Sequence, residues 1–233
     1  MRLLLTSSLA TRSPLFVSLQ DAETRCDLAD DLEEATSILQ HSGPYDAAVL
    51  ELAAPREIER LRSALRAIRI RSLCQAAIVV CDPPSVEDEV SLLAAGADDV
   101  LSRPVQAAAL THRLRALIRR SLGHASAELR CGNAVLYHGR QRVEVNGRPV
   151  RVTQREFEVL EMLMLRPGVP ISKESLMMTL YGGEDGPNER ILDVFICKLR
   201  RKLAAASASE MIRTIWGRGY CLDEPAAELP RAG

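Results

Sequence analysis

Residues 188–203 read NERILDVFICKLRRKL, and residues 212–222 read IRTIWGRGYCL. At about 100° per residue the first stretch is a helix with two unlike faces. Leu192, Phe195, Ile196, Leu199 and Leu203 gather on one side as a core-facing stripe. Arg190, Ile191, Val194, Cys197, Lys198 and Arg201 gather on the other, and that face mixes cations with small apolar groups. A face built only for solubility would carry both signs of charge and avoid Ile and Val. Cations suit phosphates and base acceptors, whereas small apolar groups suit thymine methyls. The second stretch turns through Gly217-Arg218-Gly219, which sets a lone arginine between two conformationally permissive glycines. A helix followed by a basic-tipped hairpin describes a winged helix-turn-helix, and its outward face implies a DNA ligand.

The rest of the chain sorts around that end. Before about residue 120, apolar strands at Arg2–Thr6, Thr24–Ala29, Asp46–Leu50, Ala77–Cys81 and Asp99–Ser102 alternate with helical stretches around 9–20, 31–41, 56–69, 85–95 and 107–120. That rhythm predicts a parallel sheet with helices on both faces. The small, polar stretch Ser121–Ala127 reads as a linker. After it, GNAVLYHGRQRVEVNGRPVRVT (132–153) carries Gly-containing turns at HGR and NGR between alternating residues, which predicts antiparallel hairpins. Thr153 and Glu156 form a capping-box signature for a helix to about Leu165. Ser172 is placed to cap a second helix to about Leu180. YGGEDGP (181–187) is a turn-rich loop, and residues 224–233 have the composition of a flexible tail.

Composition narrows the function. The 233 residues carry a formal net charge of −1, so any DNA contact is local rather than a general basic field. The six cysteines show neither zinc spacing nor a disulfide framework, and no metal or cofactor is expected. Neither a signal sequence nor a membrane-length apolar run is evident, which predicts a cytoplasmic protein. An enzyme reading finds no Ser/His/Asp or metal constellation to support it.

These motifs together resemble the OmpR/PhoB family of two-component response regulators. The C-terminal strings YGG, DVFICKLRRKLA and IWGRGY are similar to its CtrA branch. The resemblance implies a (βα)5 doubly wound receiver-like domain over residues 1–121, a linker at 122–127 and an α+β winged helix-turn-helix domain over 128–223. It further implies transcription regulation, double-stranded DNA and RNA polymerase as partners, and AT-rich repeated half-sites of the TTAA type. By position, Val194 and Lys198 face bases, with Ile191 and Cys197 near the same groove. Arg190, Arg200, Arg201 and Lys202 serve phosphates. Arg218 enters a minor groove, and Trp216 packs in the base of the wing. Asp193 either receives a cytosine amino group or orients an arginine; an ion pair with Arg190 along its own helix is the alternative.

The family's phosphoryl chemistry does not carry over. Its metal-binding acid pair falls on Ser7 and Ser8, its acceptor aspartate on Glu51, its hydroxyl on Cys81 and its lysine on Arg103. Two neutral hydroxyls supply no charge for Mg²⁺, so phosphorylation-independent action is expected. Glu51 paired with Arg103 mimics a phosphorylated acceptor in one reading; in the other it is a solvated strand-end residue. The resemblance also implies a homodimer through the fourth helix, fifth strand and fifth helix, using Asp98, Asp99, Arg113, Arg115 and Arg119; a solvated helix face is the alternative. An orphan interaction module that pairs with a related regulator or with RNA polymerase, DNA binding being secondary, is the competing reading.

Overall fold

The computed structural model describes residues 1–7, 13–20, 24–42, 44–52, 57–126, 128–182 and 186–223. Ser8, Pro55, the centre of the 181–187 loop and the 224–233 tail lie outside these described residues. The chain divides into two compact units, Met1–Ser121 and Leu122–Gly233.

The first unit is built on five parallel strands: β1 (Arg2–Thr6), β2 (Arg25–Ala29), β3 (Tyr45–Glu51), β4 (Cys74–Cys81) and β5 (Asp99–Ser102), in the order β2-β1-β3-β4-β5. Helices α1 (Pro14–Leu19), α2 (Leu32–His41), α3 (Ile58–Ile70), α4 (Val86–Ala95) and α5 (Ala107–Ser121) connect them. β1, β3 and β4 are nearly continuous apolar runs because helices cover both faces of the sheet. Local signals set the helix ends. The Asp31 side chain accepts from the Glu33 and Glu34 amides, and Ser85 accepts from the Asp88 amide. Gly96 closes α4 at φ 117°, where a side chain would be strained.

Parallel register brings the C-terminal ends of β1, β3, β4 and β5 to one edge. Thr6 lies beside Leu50, Glu51 beside Val80, and Cys81 beside Ser102. Ser7, Glu51, Cys81 and Arg103 therefore converge there, although they are scattered through the sequence. Such an edge is where open α/β sheets bind ligands.

The second unit begins with an antiparallel meander of β6 (Glu128–Cys131), β7 (Ala134–Tyr137), β8 (Arg142–Val145) and β9 (Arg148–Val150). Asn146 and Gly147 both adopt positive φ (50° and 73°), the requirement of a tight hairpin whose twist matches its strands. The HGR segment differs from a simple hairpin turn: His138–Arg140 forms a 3-10 turn. Strand β6 begins at Glu128, directly after the linker and ahead of the 132–153 stretch from which the hairpins are read, so the meander has one strand more than the turn signals predict. His124 Nε2 also lies 2.9 Å from the Leu165 carbonyl, so that stretch is anchored.

Helices α6 (Gln154–Leu165), α7 (Lys173–Tyr181) and α8 (Arg190–Ala205) and the wing strands β10 (Ile212–Ile215) and β11 (Gly219–Leu222) complete the unit. Thr153 and Glu156 form the full capping box of α6, and Ser172 caps α7. The Asn188 side chain accepts from the Arg190 amide, so α8 starts two residues later than its apolar pattern suggests. Leu192, Ile196, Leu199 and Leu203 enter the same core as Phe157, Leu160 and Leu176.

Candidate nucleic-acid interface

Burying Leu192, Ile196, Leu199 and Leu203 turns the opposite face of α8 outward. Arg190, Val194, Cys197, Lys198 and Arg201 are exposed, and Ile191 is half-buried. Lys198, Arg201 and Arg218 have no ion pair among the described residues, which leaves their charge available to a polyanion.

Three residues expected on the DNA face have internal partners instead. Lys202 Nζ lies 2.5 Å from the buried Glu156 carboxylate. Burial alone would raise the Glu156 pKa, but hydrogen bonds from Lys202 and Thr153 outweigh it and hold that carboxyl below its ordinary value. Arg200 Nε donates to the Ile212 carbonyl at 3.1 Å, and Nη2 donates to Thr214 Oγ1 at 2.9 Å, so this arginine braces the wing. Asp193 is not paired along its helix with Arg190. Lys173 Nζ donates to it at 2.6 Å, and the Tyr220 hydroxyl donates to the same oxygen. The Lys173 bond, then the Tyr220 bond, holds the Asp193 carboxyl below its usual range. One carboxylate thus ties α8 to the start of α7 and to β11. Lys173 and Tyr220 were not singled out from sequence, because no local spacing signals contacts 20 and 27 residues away.

The wing is fixed by the same contacts. Tyr220 exchanges backbone hydrogen bonds with Ile171, and Gly219 (φ 111°) sits against that segment. A Cβ at Gly219 would lie 2.0 Å from the Ile171 carbonyl oxygen, so only glycine fits. Trp216 departs from its expected place: it is 93 % exposed in the turn and does not pack in the wing base. A groove of about 640 Å³ runs between α8 and the wing, lined by Lys173, Glu189, Asp193, Cys197, Arg200 and Trp216, among others.

In the first unit, the edge formed by β1, β3, β4 and β5 borders a cavity of about 700 Å³ lined by Thr6, Asp31, Glu51, Leu52 and Arg60, among others, yet its carboxylate is buried. The Glu51 side chain is 4 % exposed, and its Oε1 lies 3.6 Å from Arg103 Nη2. The solvated reading of Glu51 is therefore corrected. Arg103 Nη1 donates to the Leu52 carbonyl at 3.0 Å and approaches Asp82 at 3.5 Å. The Glu51 amide donates to Thr6 Oγ1 at 3.1 Å, whereas Glu51 Oε2 and Ser7 Oγ are buried without a hydrogen-bond partner among the described residues. Burial pushes the Cys81 thiol up, so it stays neutral. These groups do not fit a divalent cation: Ser7 brings no charge, and the guanidinium already stands against the remaining carboxylate.

On the α4–β5–α5 face, Asp98, Asp99 and Arg113 have partners within the chain. Arg113 pairs with Asp99 at 3.0 Å. Asp98 accepts from Arg69 and, at 2.7 Å, from the Ala77 amide, which makes it a brace between α3 and β4. Arg115 and Arg119 are half-buried on α5. Val86 and Val90 on α4 are exposed and apolar.

An α/β unit with a receiver-like sheet order, followed by a winged-helix unit with an outward cationic helix, defines a transcription-regulator architecture. Residues 147–222 match the family model described as transcriptional regulatory protein, C terminal. Over 186 residues the chain is 40% identical to the cell cycle response regulator CtrA of Brucella anthropi, covering 79% of each protein; CtrA of Brucella ovis matches to the same extent. Among solved structures, the DNA-binding domain of CpxR from E. coli is 31% identical, with a TM-score of 0.39, covering 43% of this chain and 100% of that one. The chain belongs to the OmpR/PhoB family of response regulators, as a DNA-binding member similar to CtrA.

Proposed function

We propose that this protein regulates transcription without a phosphoryl group on residue 51, binding repeated AT-rich half-sites of the TTAA type as a dimer. The observation that carries this reading is the buried Glu51–Arg103 pair. In a site that transfers phosphoryl groups, a metal ion and fixed cations neutralise the incoming charge. Here one cation already neutralises a resident carboxylate, and neither Ser7 nor Cys81 replaces the missing metal ligands. Burial favours the reading in which Glu51 and Arg103 together imitate the charge pair of a phosphorylated acceptor.

The α4–β5–α5 face supports association. Val86 and Val90 offer apolar surface, flanked by the Asp99–Arg113 pair and by Arg115 and Arg119. In this proposal Arg190, Arg201 and Lys198 meet the duplex, Ile191, Val194 and Cys197 fill the major groove, and Arg218 reaches a minor groove. RNA polymerase is the expected partner of the activated promoter. The same α4 surface also suits a related regulator as partner, which keeps the interaction-module reading in play. A gel shift of the purified protein on a duplex with two TTAA half-sites, without any phosphodonor, separates the two. A specific shift supports the regulator; binding only after a related regulator is added supports the interaction module.

A further inference from the structure

The cavity beside Glu51 has a chemistry of its own. It measures about 700 Å³, and its lining comes from the C-terminal ends of β1 and β3 and from the first turns of α2 and α3. That volume is in the range of sites that enclose small organic molecules. Leu32, Leu52, Leu61 and Ala64 give it apolar wall, and Thr36 and Glu51 give it polar atoms.

Glu51 is only 7 % exposed, yet half of its carboxylate is unused. Oε1 stands 3.6 Å from Arg103 Nη2, whereas Oε2 is buried and accepts no hydrogen bond among the described residues. A buried carboxylate oxygen without a donor is costly, and folded chains rarely leave one so. Glu51 belongs to the cavity wall and Arg103 does not, which assigns Oε2 to the cavity side. An N–H donor placed there removes the cost.

Charge selects the kind of donor. Among the described residues, carboxylates from Asp31, Glu33, Glu51, Glu57 and Glu59 line the space, against the single cation of Arg60. Asp31 is engaged by the amides that begin α2, and Glu59 pairs with Arg62 at 2.5 Å. Glu33 and Glu57 have no ion pair among the described residues. An anion meets this field unfavourably, whereas an organic cation gains from it and forms a charge-assisted bond to Oε2. A bare metal ion fits poorly, because Arg103 already stands against Glu51 and the apolar wall offers no oxygen ligands.

We propose that this cavity binds a small organic cation, an amine or amidine on an apolar body. Its N–H groups donate to Glu51 Oε2, and its body packs on Leu32, Leu61 and Ala64. The site goes beyond the regulatory reading above but rests on its premise that residue 51 carries no phosphoryl group.

The probes are benzamidine and phenethylamine, with benzamide and benzoate as neutral and anionic counterparts of the first. Each is titrated calorimetrically into the full-length protein at low salt without DNA, and peptide mass mapping of the same sample reads residue 51. At least one of the two cations is expected to bind, with its neutral and anionic counterparts about tenfold weaker or worse. Glu51→Gln should weaken that cation about tenfold. Ala64→Phe should fill the cavity and abolish binding without touching Glu51 or Arg103. Thermal unfolding checks that each variant folds; if one does not, the ranking of probes on the parent protein decides. Absence of binding by both cations, benzoate binding as tightly as benzamidine, or binding that survives both substitutions would overturn the site. An unmodified residue 51 with no cation bound removes this site alone. A phosphoryl group found on residue 51 removes the premise, and the site with it.

Discussion

Arg103 stands 3.6 Å from the buried Glu51 carboxylate and anchors itself on the Leu52 carbonyl at 3.0 Å. Among the described residues the guanidinium is the ion partner of that carboxylate at the strand ends. Removing it leaves a buried charge without a counter-ion, which costs far more than the pair contributes as a pair. Arg103→Ala should therefore destabilise the first unit by about 3 kcal/mol. Glu51→Gln in the same background should recover part of that loss by removing the charge. Urea unfolding of both variants gives the comparison. Equal stability of Arg103→Ala and the parent protein would mean that the pair is not a structural element.

The Glu156–Lys202 contact makes the second unit sensitive to acid. The Glu156 pKa is depressed in the folded state, so its contribution is present above the ordinary carboxylate value of 4.5 and is lost as pH falls through the lower folded value. Thermal unfolding should show stability declining below about pH 4.5. Lys202→Met should weaken that decline and lower stability at neutral pH. Since this lysine points inward, its loss should leave the salt dependence of DNA binding almost unchanged.

Asp193 should act on DNA through geometry. Asp193→Asn keeps the shape but gives up the charge that holds Lys173 and Tyr220, each bond being worth on the order of 1–2 kcal/mol. DNA affinity should fall on specific and random duplexes alike, with the salt slope constant. Tyr220→Phe should reproduce part of the effect. If Asp193→Asn instead changes preference at a single base position, the side chain reads that base directly.

The outer cations separate into two kinds. Arg201→Ala should flatten the plot of affinity against salt by about one unit, as the loss of one phosphate contact requires. Lys198→Ala should do the same and also relax base preference at one position. Filter-binding isotherms across a salt series on matched and mismatched duplexes measure both.

Much of this molecule was legible in the sequence where the signal is local. The alternation of strands and helices anticipates the parallel sheet. The stripe from Leu192 to Leu203 anticipates the buried side of α8, because helical periodicity alone sets which residues share a face. The Thr153/Glu156 capping box and the Asn146-Gly147 turn rest on chemistry within a few residues. Long-range partners were not legible. The family resemblance places Arg200 and Lys202 on phosphates, yet Thr214 and Glu156 bind them within the folded chain. Glu51 reads as a strand-end carboxylate, and only the meeting of β3 with the residue after β5 buries it against Arg103. Trp216 is expected in the base of the wing; it falls instead in the turn between β10 and β11, beyond the paired strands, and is exposed.

The most direct test of the central claim compares full-length protein binding to a TTAA-repeat duplex before and after incubation with acetyl phosphate and Mg²⁺, with intact-mass spectrometry of each sample. The account predicts superimposable isotherms and no added phosphoryl mass. A gain of one phosphoryl group accompanied by tighter binding would contradict it.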